Sequence, residues 1–153
     1  MRNQKKLLLE QLDRKLKPFL EVKNIPVPQR GWIYTIRTSL NMTLKQLGQR
    51  LNITKQGVQD IEERESTGSI TIKSLLEIGN ALDMHFVYAF VPKQNSIEIF
   101  VEQKAMETAK KIVLRTHQNM KLENQENSKE SIQHAIKELA MDLKREMRKT
   151  LWE

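Results

Sequence analysis

The chain of 153 residues contains no cysteine, only five glycines and four prolines, and few aromatics. Without cysteine it has no disulfide, no thiolate metal site and no cysteine nucleophile, which suits a reducing cytoplasm. No Gly-rich phosphate loop, nucleophile elbow or paired-carboxylate constellation is found. The three histidines, His85, His117 and His134, are too far apart in sequence for two of them to share a helix turn as metal ligands. Long apolar runs are missing as well. Leu7–Leu9 is too short for a signal-peptide core and is followed by Glu10 and Asp13, and nothing approaches a membrane span. These absences predict a cytoplasmic protein with no enzymatic activity, cofactor, metal or membrane segment. Its length still suffices to bury a modest core.

What the chain has in excess is positive charge, +7 in total, a balance that favours polyanionic partners such as nucleic acid. The excess is uneven: residues 1–29 carry seven Lys and Arg against three acids, whereas residues 30–83 carry seven against six. Within the second stretch the acids cluster at Glu62, Glu63 and Glu65.

The stretch TLKQLGQRLNITKQGVQDIEE, Thr43 to Glu63, places two short helical patterns on either side of Asn52 and Ile53. Thr43 and Gln46 form a capping box that opens the first helix, and Leu44, Leu47 and Leu51 recur along one face. Asn52 tolerates a left-handed turn conformation. Thr54 supplies the next N-cap hydroxyl, after which Val58 and Ile61 face inward while Lys55, Gln56, Gln59 and Asp60 face outward. Donors and acceptors of that kind suit base edges better than they suit a core. The layout is that of a helix-turn-helix, with Thr54 to Glu65 as the recognition helix.

The rest of the chain frames this motif. A first helix is expected from about Asn3 to Lys17, with Leu9, Leu12 and Leu16 on one face and Pro18 at its end. Pro26 and Pro28 break the chain before a helix carrying Ile33, Ile36 and Leu40. Another helix follows Thr71, with Leu75, Leu76, Gly79 and Leu82 bringing one face onto the core. HFVYAFV and IEIFV, on either side of PKQNS, have the composition of a β-hairpin, whose apolar faces would be covered either by helices of the same chain or by an intermolecular sheet. Helical spacing returns from about Glu102 with Ala105, Met106, Ala109, Ile112 and Val113. Asn127 and Glu130 form a capping pair for a last helix with Ile132, Ile136, Leu139, Leu143, Met147 and Leu151. The expected fold is mainly α: an N-terminal helix and Pro-containing linker (1–29), a helix-turn-helix domain (30–83), a β-hairpin (84–102) and a C-terminal helical region (103–153).

LKQLGQRLNITKQGVQDIE resembles the Cro/CI-type helix-turn-helix family nearly position by position. That resemblance implies that Lys55, Gln56, Gln59 and Asp60 reach base edges of double-stranded DNA, and that Thr43, Lys45 and Thr54 contact phosphates. The pattern departs at Leu44, where the family commonly has a glutamine that holds phosphate and braces the recognition helix. Arg37 and Glu62 stand where the family often places an ion pair; two solvated charges of little energetic weight are the equal alternative.

PQRGWIYTIRTSLNMTLKQLGQRL, GSITIKSLLEIGNALDMHFVYAFVPK and the terminal LW together resemble mobile mystery protein A, a bacterial family covering nearly the whole chain. The family is associated with mobile elements and with a partner, mobile mystery protein B, that contains a Fic domain; such domains typically transfer AMP from ATP to a target hydroxyl. The resemblance implies an antitoxin-like role in a Fic-type pair; with the helix-turn-helix, the expected function is a sequence-specific, homodimeric DNA-binding repressor of its own operon. The alternative is a protein acting first as an inhibitor of the Fic-domain partner, with secondary or degenerate DNA binding. Asn119, Met120, Lys121, Leu122, Glu123 and Asn124 resemble the short motif of Fic inhibitors except at the first position, where Asn119 replaces Ser or Thr. By that resemblance Glu123 pairs with an arginine that the partner needs for the ATP γ-phosphate, with Asn119 and Asn124 flanking it. A solvated acid in a polar linker is the other reading of Glu123.

Overall fold

The structure, a computed structural model, describes residues 3–122 and 128–153. They form two compact units, one from Val22–Ala89 and one from Met1–Glu21 with Phe90–Glu153.

The first unit contains α2 (Trp32–Ser39), α3 (Leu44–Leu51), α4 (Lys55–Thr67) and α5 (Ile72–Ala81). Ile33, Leu47, Val58, Ile78 and Leu82 are its buried centre, with Ile36, Leu44, Leu51, Ile61 and Leu75 packed around them. Most of each expected apolar stripe turns inward, whereas Leu40 and Leu76, expected on the core faces of α2 and α5, are 55% and 46% exposed. Thr71 caps α5 by accepting from the Ser74 N–H at 3.1 Å, and Gly68, in the left-handed region at φ 80°, ends α4.

The second unit is built on α6 (Ile97–Leu122) and α7 (Lys129–Glu146), with α1 (Gln4–Leu16) and a 3₁₀ turn, Lys149–Trp152, packed on them. Val101, Ala105, Ala109, Ala140, Leu143 and Leu151 form its core, and Leu9 of α1 packs against them. Trp152 stacks on Phe100 with ring centroids 5.7 Å apart. Ser128 caps α7 by accepting from the Ser131 N–H at 3.2 Å; Asn127, the expected cap, lies outside the described residues. The Lys144 ammonium of α7 meets Glu102 at 2.5 Å and Glu98 at 3.4 Å. Burial pulls its pKa down, but the hydrogen bond to Glu102 and the two carboxylate charges outweigh that and leave it above the ordinary lysine value. A 3₁₀ stretch, Lys17–Asn24, runs from the end of α1 across the boundary between the units.

The β-hairpin expected over residues 84–102 is not formed, and among the described residues there is no strand. IEIFV is instead the first turn of α6. Val101, Ala105 and Ala109 continue from Ile97 at four-residue spacing, whereas Ile99, which a strand would place on the same face as Ile97 and Val101, is 42% exposed. The helix is started from a distance. Asp13 of α1 accepts from the Ile97 N–H at 2.6 Å, the Glu98 N–H at 3.2 Å and the Ser96 hydroxyl at 2.9 Å, satisfying the orphan donors of a helix N-terminus. The other expected strand, Phe86–Val91, is committed at its start to α5. The Met84 N–H donates to the Gly79 carbonyl at 2.8 Å, and the backbone of Met84–Phe86 lies so close over Gly79 that a Cβ there would sit 2.9 Å from the Met84 oxygen. β-Branched and aromatic composition reports a preference for a pleated, half-buried surface; here Val87, Tyr88 and Phe90 are irregular and exposed.

Candidate nucleic-acid interface

The turn between α3 and α4 fixes the geometry. Asn52 takes the left-handed conformation, φ 55° and ψ 40°, and the Ile53 N–H returns to the Gly48 carbonyl at 2.9 Å. Gly48 is fully packed beneath this turn: a Cβ there would lie 2.7 Å from the Ile53 oxygen. The absence of a side chain is thus what lets the two helices meet so tightly. Thr43 accepts from the Gln46 N–H at 3.1 Å while Gln46 accepts from the Thr43 N–H at 2.8 Å, and Thr54 accepts from the Gly57 N–H at 3.0 Å. Both threonine hydroxyls keep a proton to donate, as a phosphate oxygen requires.

On α4, Lys55, Gln56 and Gln59 are exposed while Val58 is buried, and Asp60 is half-buried beside them. The Gln56 amide nitrogen donates to Asp60 at 3.1 Å. An amide nitrogen carries two hydrogens, so this bond leaves one hydrogen and the carbonyl oxygen of Gln56 for a base edge. It also occupies Asp60, which acts here as a brace for Gln56. Lys45 is exposed in the first turn of α3, and the Arg50 guanidinium of the same helix donates to the Ala81 carbonyl at 3.1 Å.

α4 is held against α2 by a buried ion pair. Arg37 and Glu62 are 8% and 7% exposed. The Arg37 Nε donates to Glu62, a second bond of 3.2 Å links Nη2 to Oε2, and Nη1 donates to the Met42 carbonyl at 2.9 Å. The pairing is bidentate and desolvated, unlike a surface salt bridge.

Glu65, which the sequence shows only as one more acid on α4, caps α2. Gly31 at the N-cap has φ 86° and no side chain to offer, and the Glu65 carboxylate accepts from the Ile33 N–H at 2.7 Å in its place. A Cβ on Gly31 would fall 2.5 Å from that carboxylate. The signal for this contact is the N-terminus of α2 itself, which lacks a local capping residue.

Asn119 is exposed on α6 in the other unit, and Glu123 and Asn124 lie outside the described residues. His134 meets Glu138 at 3.1 Å on the surface of α7, and His85 lines an apolar groove beside Trp32 and Gly79. Among the described residues no group of three or more His, Asp or Glu side chains is placed to hold a metal, and no helix is long and apolar enough to cross a membrane.

A capped helix, a short left-handed turn and a second capped helix with exposed amides at its start define a helix-turn-helix of the kind that binds DNA in transcription regulation. Residues 33–88 match the family model described as Helix-turn-helix, of the Cro/CI type. No curated protein matches the chain, and no solved structure does.

Proposed function

We propose that the protein is a sequence-specific repressor that binds its own promoter as a homodimer. The observation that carries this reading is the N-terminal half of α4: Lys55, Gln56 and Gln59 stand exposed on a helix locked by the Arg37–Glu62 pair and by the packing over Gly48. Glutamine offers a donor and an acceptor to adenine, lysine donates to guanine, and a rigid scaffold makes such contacts selective. Two copies would set recognition helices on half-sites about one helical turn, ~34 Å, apart. The function is binding, with no catalytic step.

The finer role is antitoxin of a Fic-type pair. It is supported by the likeness of residues 28–51, 68–93 and the terminal Leu151 and Trp152 to mobile mystery protein A, and by the second helical unit, which DNA reading through α4 does not require. Enrichment of bound duplexes from a random pool, a footprint on the gene's own promoter and copurification with the neighbouring gene product test both levels. A protein that enriches no sequence is not a specific repressor. One that footprints the promoter but never retains a Fic-domain protein is a repressor without the antitoxin role.

A further inference from the structure

Beside the base-reading face, α2 and α4 enclose a polar cleft lined by Arg30, Tyr34, Gln59, Glu62, Glu63 and Ser66. Arg30 is exposed, and its guanidinium carbon lies 3.6 Å from the centroid of the Tyr34 ring. The platform has support of its own: Tyr34 is half-buried, and Arg37, tied to Glu62, lies 5.5 Å from the centroid of the same ring. The backbone is fixed as well. The Gly31 N–H donates to the Pro28 carbonyl at 2.9 Å, and Glu65 holds the next turn at the Ile33 N–H. Among the described residues Arg30 joins none of the ion pairs.

A guanidinium stacked flat on an aromatic ring keeps its N–H edge outward, and that fork fits two oxygens of one phosphate. Most of the ordering cost of a long side chain is met before binding. Gln59, which belongs to the base-reading face, lines the same cleft. A duplex whose bases Gln59 reads therefore brings its backbone to the cleft mouth. Glu62 does not oppose this, because Arg37 already neutralises it; the exposed Glu63 on the same lining does oppose it, and the Arg30 fork must outweigh that carboxylate.

We propose that Arg30, held on Tyr34 beside Gln59, clamps a phosphodiester of the bound DNA backbone and adds affinity without sequence preference; this rests on the DNA reading given above. The test uses full-length protein and fluorescence anisotropy across a salt series, on a random-sequence duplex and on a duplex enriched by the wild type. Arg30→Ala should weaken both complexes by the same factor and reduce the slope of log affinity against log salt by about 0.9, the release of one phosphate's counterion. Arg30→Lys should restore the slope while staying weaker than wild type, since charge returns without the fork. Thermal unfolding monitors the fold, and Arg30→Gln gives the same slope test should alanine disturb it. An unchanged slope and affinity in Arg30→Ala overturns the clamp while leaving the repressor reading intact. A loss confined to the enriched duplex overturns it in favour of a base contact. A wild type that binds neither duplex overturns the DNA reading, and the clamp falls with it before any variant is compared.

Discussion

The Arg37–Glu62 pair makes a sharp energetic prediction, because its two halves are far more valuable together than either is alone. Glu62→Ala would leave a guanidinium 8% exposed with one remaining acceptor, the Met42 carbonyl. Breaking a buried pair from one side costs about 3 to 5 kcal/mol, most of it from the stranded charge. Arg37→Met strands the carboxylate and should cost a similar amount. Against a domain stability of ~5 to 15 kcal/mol, either loss is large. Replacing both, as Arg37→Met with Glu62→Leu, removes the stranded charge and should come within about 1 to 2 kcal/mol of wild type, since apolar groups of similar volume substitute well for buried ion pairs. The cycle is therefore strongly non-additive. Amide hydrogen exchange on the full chain is the suitable assay, because it reads α2 to α5 separately from α6 and α7. Each single variant should accelerate the slowest amides of α2 to α5 by roughly 100-fold to several thousand-fold, at 1.4 kcal/mol per factor of ten, and the double variant should return most of that protection. Single variants that cost less than ~1 kcal/mol would show the pair to behave as solvated charges. A double variant as unstable as the sum of the singles would refute the stranded-charge argument.

Gly48→Ala should destabilise the protein by about 1 to 3 kcal/mol through overpacking against the Ile53 carbonyl, although alanine in a helix interior ordinarily gains ~0.5 to 1 kcal/mol over glycine. A raised melting temperature would show that the turn yields. Gln56→Ala and Gln59→Ala should each cost about 1 to 3 kcal/mol of discrimination between an enriched and a random duplex, whereas Lys45→Ala should weaken both and flatten the salt dependence. Equal losses on the two duplexes for the glutamine variants would remove them from the base-reading set. Asp13→Ala takes away the cap of α6 and should cost about 1 to 2 kcal/mol, with faster exchange of the Ile97 and Glu98 amides; unaltered exchange would show that Ser96 caps the helix unaided.

Local chemistry explains which parts of this fold could be read from the chain. The Thr43 and Thr54 caps, the left-handed Asn52 and the inward Leu47 and Val58 are all specified by residues within a turn of one another, and there the sequence expectation and the structure agree. The failures are long-range. Asp13 precedes the helix it caps by 84 residues; the local start signal, Ser96, accepts from the Ile99 N–H at 3.3 Å, and the β-rich composition of the sequence outweighs it. Glu65 lies 32 residues beyond the Ile33 amide that it serves. For Arg37 and Glu62 the family resemblance leaves paired and solvated readings equal, and burial separates them. Arg30 and Tyr34 are four apart at the edge of α2, a spacing that suits contact but does not show that Arg37 also lies against the ring.

The same long-range contacts change what the net charge means for DNA binding. By sequence, residues 30–83 are almost balanced, and the acids at Glu62, Glu63 and Glu65 lie beyond the N-terminal end of the recognition helix that would face DNA. In the fold two of the three are spent internally: Glu62 is neutralised by Arg37, and Glu65 faces the positive end of the α2 dipole. Asp60 is half-buried and accepts from Gln56. Of the acids on α4, only Glu63 is exposed, against Lys45, Lys55 and Arg30. A surface can thus be more basic than its segment, because carboxylates that brace the scaffold do not face the ligand. The electrostatic attraction and the rigidity of the recognition helix then share a cause. Removing Glu62 or Glu65 would make the segment more basic by count, yet would loosen the helix that the charge is meant to deliver to the groove.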